Sequence, residues 1–388
     1  MARQVYFHIG APKTGTTYLQ NALWGNRAVL RTQGVLIPGR KHFDTFDATV
    51  VVREKPRRGR RADEIGNAWD RIVEEVHNWS GTAVISHEFF AEATAEQAKK
   101  AIAALAPAEV HIVFTARDYV RQVPAVWQEA LKMHSKLTLS EFVEDALADR
   151  LTGPWSWRTF DIRAVLERWA AELPPGQVHV VTVPRPGTDP AVLWDRFARL
   201  CGIDPSSCDP STDMANESLG LVEARLLQEV HPRLTVLSGL PERHRWTRGF
   251  FAHQVLVPRE GERFGLRRSE AEALRARALD AVEQIRLRGY DVVGDLDELV
   301  APDPLPELPH PDDVSDAELL DAAEDVIADL IMHVRKHIMQ SEHRERRLRK
   351  VQRQLKELRE RQSRTRRLLS RIRRMAAQVR RRIKQRRS

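Results

Sequence analysis

From the N-terminus to about residue 300, short blocks with apolar residues at every second position alternate with longer blocks in which they recur every third or fourth. The first block, Val5 to Ile9, predicts a strand; the turn GAPKTGTT follows, and TYLQNALW returns apolar residues at helical spacing. Val35-Leu36-Ile37, held between Gly34 and Pro38, predicts a short second strand. Residues 63–79 carry Ile65, Trp69, Ile72, Val73 and Val76 on one helical face. TAVIS at 82–86 then predicts a strand ending in His87-Glu88, ahead of a helix over 91–105. The run EVHIVFTAR at 109–117 reads as a buried strand, followed by the helical VRQVPAVWQEALK, and QVHVVTV at 177–183 is another, rich in β-branched residues. Helices are predicted at SEFVEDALADR, at DIRAVLERWAAEL and at DPAVLWDRFARLCGID, the last running from near Pro190 to a cap near Gly202. Trp155, Trp157 and Phe160 read as core in preference to a stacking platform for a sugar. From 214 to 300 the pattern is mainly helical. This order implies an α/β fold, a doubly wound parallel sheet flanked by helices.

Near residue 301 the pattern changes. APDPLPELPHPDD sets five prolines among acidic residues and predicts a stiff, extended spacer. The chain is thereby divided into a domain at 1–305, a Pro-rich acidic linker at 306–315 and a helical, strongly basic tail at 316–388. In the tail, Leu348, Val351, Leu355, Leu358, Gln362, Thr365, Leu369, Ile372, Ala376, Val379 and Ile383 follow alternating steps of three and four, a heptad seam with a polar interruption. Such a seam suits a coiled coil joining copies of the chain into a homo-oligomer, or an amphipathic helix laid on an anionic surface or an acidic partner. Nucleic acid is the less favoured polyanion, and a solvated helix with no specific partner is the plain alternative.

Composition adds bounds. With 388 residues and 42% hydrophobic content, the chain has material for one large α/β core plus an appendage. Residues 341–388 hold twenty-one basic and four acidic side chains, so +17 of the charge lies there and −9 elsewhere, giving the total of +8. The basic character belongs to the tail. Neither a charged segment ahead of an apolar stretch nor a run of 18 apolar residues is found, and the expectation is a cytoplasmic protein, at most peripheral to the inner face of a membrane. Cys201 and Cys208, the two cysteines, exclude a disulfide framework or a four-cysteine zinc site. REKPRRGRR at 53–61 reads as an exposed loop that could gather an anion but is more simply solvated.

The turn after the first strand brings in chemistry. A Gly- and Thr-rich turn opening a helix gathers backbone N–H groups at the positive end of the helix dipole, a ready site for phosphate. Gly10 and Gly15 have the glycine spacing of a Walker A loop, but Thr16 occupies its lysine position and the lysine sits inside the turn at Lys13. Pro12-Lys13-Thr14-Gly15-Thr16-Thr17 after an N-terminal strand resembles the 5′-phosphosulfate loop of the PAPS-dependent sulfotransferases.

That resemblance implies a P-loop-like domain, PAPS (3′-phosphoadenosine 5′-phosphosulfate) as sulfuryl donor, no metal, and transfer to a hydroxyl or amine. It implies that Lys13 stabilises charge on the bridging oxygen, while Thr16 and Thr17 contact the 5′-phosphate; helix capping is their plain alternative. The family holds the 3′-phosphate with an arginine at a strand end and a serine eight residues on. Arg117 matches the arginine, Ala125 stands where the serine would be, and an ion pair to Asp118 is the plain alternative for Arg117. A basic loop from the C-terminal part of the domain also closes on that phosphate, which makes Arg245, Arg248 and Gly249 candidates. For the base that takes the acceptor proton, His87 and Glu88 compete, and as neighbours on an extended segment only one should face the acceptor. Their plain alternative is a hydrogen-bonded histidine and a carboxylate at a helix start. The acceptor is a small molecule or a glycan or glycolipid hydroxyl that the sequence does not name. Two rival readings are a P-loop nucleotide kinase, which would need a lysine at Thr16, and a degenerate fold that binds a polyanion or membrane surface, which Ala125 would favour.

Overall fold

The structure is a computed structural model that describes residues 2–56, 65–211, 218–237, 239–305 and 307–385, without the side chains of 357–361, 363–365 and 379–385. The arginine-rich loop beyond Pro56 and the seam side chains of Leu358, Thr365, Val379 and Ile383 lie outside the described residues. The chain divides into two units, 1–322 and 323–388.

Unit 1 is an α/β layer structure. Its sheet holds β1 (Gln4–Gly10), β2 (Val35–Leu36), β3 (Thr82–Ser86), β4 (Glu109–Ala116), β5 (Val178–Thr182) and β6 (Asp291–Val293), in the order β2-β3-β1-β4-β5-β6. Every pairing is parallel. The apolar alternation of β1 explains the layering. Val5, Phe7 and Ile9 are fully buried, and Trp69 of helix Ala68–His77 and Trp169 of helix Ile162–Trp169 pack on Phe7 at 5.7 and 5.0 Å between ring centroids. On the opposite face, Leu19 and Leu23 of helix Thr16–Gly25 join Val84, Val113, Val181 and the helix Ala191–Leu200 in one apolar cluster. From β1 the chain winds outward to β2, and from β4 it winds the other way to β5 and β6, so helices cover both faces and the winding reverses between β1 and β4.

Four expectations are corrected. The helical period assumed up to residue 300 stops earlier: helix Arg268–Arg288 ends where Gly289 takes the left-handed conformation at φ 66°, and the next residues form β6. Three residues are too short a strand to show a period. The helix expected from 91 starts at Ala95, because Thr94 and Gln97 form a reciprocal capping box, and Glu88–Glu92 is a 3-10 turn. The segment carrying Arg245, Arg248 and Gly249, expected as a basic loop, lies within a π-helix, Arg243–Leu256. The Pro-rich acidic stretch is tied into unit 1: the Asp312 carboxylate accepts from the Leu139 and Ser140 N–H groups at 3.3 and 3.2 Å, Gly265 N–H donates to the Pro309 carbonyl at 3.0 Å, and Arg267 pairs with Asp313. Composition resembled a spacer; the carboxylate instead serves the N-terminus of helix Leu139–Leu147.

Unit 2 is helical through Gln385, as part of helix Asp316–Gln385. Its seam residues Leu348, Val351, Leu355, Leu369 and Ile372 are 43–58% exposed. Among the described residues no helix is long and apolar enough to cross a membrane.

Candidate functional site

The turn after β1 has its shape set by backbone conformation. Gly10 stands at φ 114°, Lys13 at φ 63° and Gly15 at φ 81°, the left-handed region that costs a non-glycine residue about 1 kcal/mol. A Cβ on Gly10 would come within 2.9 Å of Glu88 Cα, so the glycine lets the ends of β1 and β3 touch. Gly15 is the N-cap of helix Thr16–Gly25 and, having no side chain, supplies no acceptor to the N–H groups of the first turn. The threonines do not cap it: Thr16 is buried and Thr17 exposed, the first two residues of the helix proper.

Beneath the turn runs a buried chain of hydrogen bonds with one consistent proton order. The Thr14 hydroxyl donates to the Ala11 carbonyl at 2.6 Å and so accepts from the Thr115 hydroxyl, also at 2.6 Å. Thr115 then accepts from His8 Nε2–H at 3.2 Å, which leaves His8 Nδ1 to accept from the Ser86 hydroxyl at 2.8 Å. His8 is neutral in this arrangement, as its full burial requires, for burial pushes its pKa down to about 3. Gln122 adds a bond to the Pro12 carbonyl at 2.8 Å, and the Ala11 N–H donates to the Thr115 carbonyl at 3.0 Å. The turn is thus pinned to β3, β4 and helix Tyr119–Lys132 from below.

Cations gather above it. Lys13 Nζ, 3.0 Å from Glu129 Oε1, shares that carboxylate with Lys132 at 3.1 Å and Arg248 at 3.3 Å. Burial pushes the Glu129 carboxyl up, but the three cations outweigh it and hold its pKa at about 2. Three cationic side chains thus meet on one carboxylate. Arg117 donates from Nη1 to the Lys13 carbonyl at 3.2 Å, while its buried Nε has no hydrogen-bond partner among the described residues. Asp118 does not pair with it; that carboxylate caps helix Tyr119–Lys132 through the Arg121 N–H at 2.9 Å and binds the Arg121 side chain. Burial, and then the neighbouring Arg121, lower Arg117 to about 10, which keeps it charged at neutral pH. Ala125 sits half-buried on the same helix. Of the other basic candidates, Arg248 reaches the cluster, Arg245 is exposed and stacks on Trp246 at 4.9 Å, and Gly249 is half-buried beside the His244 carbonyl.

His87 and Glu88 are brought together, contrary to the alternation of an extended segment. The chain leaves the extended conformation after His87 and enters the 3-10 turn, which sets His87 Nδ1 3.5 Å from Glu88 Oε2. His87 Nδ1 accepts the Phe89 N–H at 3.2 Å, and Gln20 of the first helix donates to Glu88 Oε2 at 2.8 Å. Burial lowers the His87 pKa; it raises that of Glu88, but His87 and the Gln20 bond bring Glu88 below its usual value. At neutral pH the pair is a neutral imidazole, protonated on Nε2, beside a carboxylate. Phe46 and Phe89 flank the imidazole at 5.5 and 5.3 Å, and half-exposed Trp155 meets Phe89 at 5.9 Å, whereas Trp157 and Phe160 are core. The described part of the arginine-rich loop is turned to Glu92, which pairs with both Arg53 and Lys55.

Ends of β1, β3 and β4 therefore meet where the winding reverses, the place at which open α/β sheets bind ligands. The sequence reading missed Glu129, Lys132, Gln122 and His8. A signal existed for His8 and Thr115, polar residues amid apolar strands; for Glu129, on a helix with other charges, there was none. No protein-family model, curated protein or solved structure matches the chain.

Proposed function

We propose that the chain is a PAPS-dependent sulfotransferase acting on a hydroxyl or amine of a small-molecule or glycan acceptor. One observation carries this reading: the pinned Gly10–Gly15 turn, an arginine that makes no salt bridge among the described residues, and a histidine–carboxylate pair gather at the ends of β1, β3 and β4. The strand order, with β1 between β3 and β4, supports a P-loop-like domain. The 5′-phosphosulfate lies against the N–H groups of the turn and the first helix, and Arg117 takes the 3′-phosphate. As the bond from sulfur to the bridging oxygen breaks and the bond to the acceptor oxygen forms, charge grows on the departing phosphate, and Lys13 stabilises it. The acceptor proton passes to Glu88, because the Nδ1 lone pair of His87 is held by the Phe89 N–H; the Gln20 amide positions the carboxylate. The product 3′-phosphoadenosine 5′-phosphate then leaves with its charge balanced by the cluster. A binding module without turnover is the second reading, favoured by Lys13 being already paired with Glu129 and by Ala125.

Calorimetric titration with 3′-phosphoadenosine 5′-phosphate, 5′-AMP and ATP, without magnesium, tests the proposal. The bisphosphate should bind in the micromolar range or tighter and 5′-AMP much more weakly. Arg117→Ala should cost about 2 kcal/mol, roughly thirtyfold, as loss of a charge-assisted bond does. Lys13→Ala should depress turnover more than binding once an acceptor is found. Equal and poor binding of all three ligands would defeat the assignment.

A further inference from the structure

Helix Asp316–Gln385 carries its seam further upstream than Leu348. Ile327 and Val334 share the heptad position of Leu348, Leu355 and Leu369, and Leu330 shares that of Val351 and Ile372. From Ile327 to Ala376 the steps of three and four continue over seven heptads, interrupted by His337, Ser341, Arg344, Gln362 and Thr365, and Ile327, Val334, Leu348, Val351, Leu355, Leu369 and Ile372 are exposed while Leu330 is half-buried. A strict seven-residue repeat drifts by about 20° per heptad on a straight helix, about 140° over seven. Laid on a flat anionic surface, the stripe would turn away from it; wound around another helix, it keeps facing its partner. No aromatic residue follows Tyr290, so the ring anchors of an interfacial membrane helix are missing.

What the partner is follows from symmetry in the pattern. Apolar blocks at 326–339, 348–358 and 368–383 are separated by polar stretches at 340–347 and 359–367, an arrangement that reads nearly the same in either direction about residue 353. Reversal about that point sets Val334 opposite Ile372, Leu330 opposite Ala376, Val351 opposite Leu355, and the seam residue Arg344 opposite the seam residue Gln362. Charge chooses the direction. Residues 323–339 carry Glu324, Asp325 and Asp329 against Arg335 and Lys336, a net −1, and residues 368–385 carry six arginines and a lysine with no acid, +7. A parallel pair in register would stack +7 on +7 and set Arg344 against Arg344 in the seam; an antiparallel pair sets −1 against +7 and gives each Arg344 an amide. We propose that two copies of the chain associate through residues 323–385 as an antiparallel, two-fold symmetric coiled coil centred near Arg353.

The test uses the full chain carrying Cys208→Ser, since Cys208 is part-exposed and Cys201 buried. Light scattering should give twice the 44.4 kDa of one chain. When the Val334→Cys and Ile372→Cys chains are mixed and oxidised, the disulfide should form between the two variants and not within either. A Val334→Cys disulfide with its own kind would overturn the antiparallel direction, and a 44.4 kDa monomer, including one recruited by phosphatidylserine vesicles, would overturn the pairing. Leu348→Glu with Leu355→Glu should yield a monomer whose unit 1 melts as before; a dimer that survives this change is held by another surface, and the proposal falls.

Discussion

His8 holds the proton order of the turn, and its burial makes stability depend on pH in one direction. Its folded pKa, about 3, lies below the ordinary 6.5, so between those values the unfolded chain binds a proton that the folded chain refuses. The contribution is fully present above pH 6.5 and is lost as pH falls toward 3, on the order of a few kcal/mol. His231, pushed down to about 4 by burial, adds with the same sign. Urea unfolding at pH 7 and at pH 4.5 should show a lower midpoint at the acid value, and His8→Gln, less stable at pH 7, should show a smaller loss between the two. An equal loss in both would assign the acid sensitivity to other groups. The residue was visible in the sequence as a polar position inside an apolar strand. Its two hydroxyl partners, Ser86 and Thr115, were not, because they come from two other strands.

Glu129 joins three elements: the turn through Lys13, its own helix through Lys132, and the π-helix through Arg248. Removing a buried charge from such a cluster leaves its partners repelling one another, a cost of about 3 kcal/mol. The same removal takes a negative charge from beside the proposed anion site. Glu129→Gln should therefore lower the melting temperature and raise the affinity for 3′-phosphoadenosine 5′-phosphate, read by thermal melting and calorimetry on one preparation. A drop in both would mean that Lys13 needs the carboxylate to stand in place. At this scale the sequence served well where elements are long and periodic: the strands β3, β4 and β5 and the helix Ala191–Leu200 came out within a residue or two. It failed for β6, whose three residues gain their strand form only by pairing with β5, and for Arg243–Leu256, whose mixed basic and aromatic residues show no apolar face.

Across the whole molecule, the layering was legible because alternating strand and helix periods admit few topologies. The domain boundary was not, since proline and acid counts describe a spacer equally well whether it is free or bound. Asp312 decides the matter through its two N–H partners at the start of helix Leu139–Leu147. A chain ending at residue 322 should melt like unit 1 of the full chain, whereas one ending at residue 305 should lose at least the roughly 1 kcal/mol of a helix cap and melt lower. Equal melting of the two would return residues 306–315 to the role of a spacer. The bonds from Ser86 through His8, Thr115 and Thr14 to Ala11 carry a consequence of another kind. With the turn already fastened to the sheet, the anion proposed to bind there would have little backbone left to order, so association would be free of the entropy of loop closure. Its heat-capacity change reflects the few apolar atoms the ligand covers and not a segment folding around it.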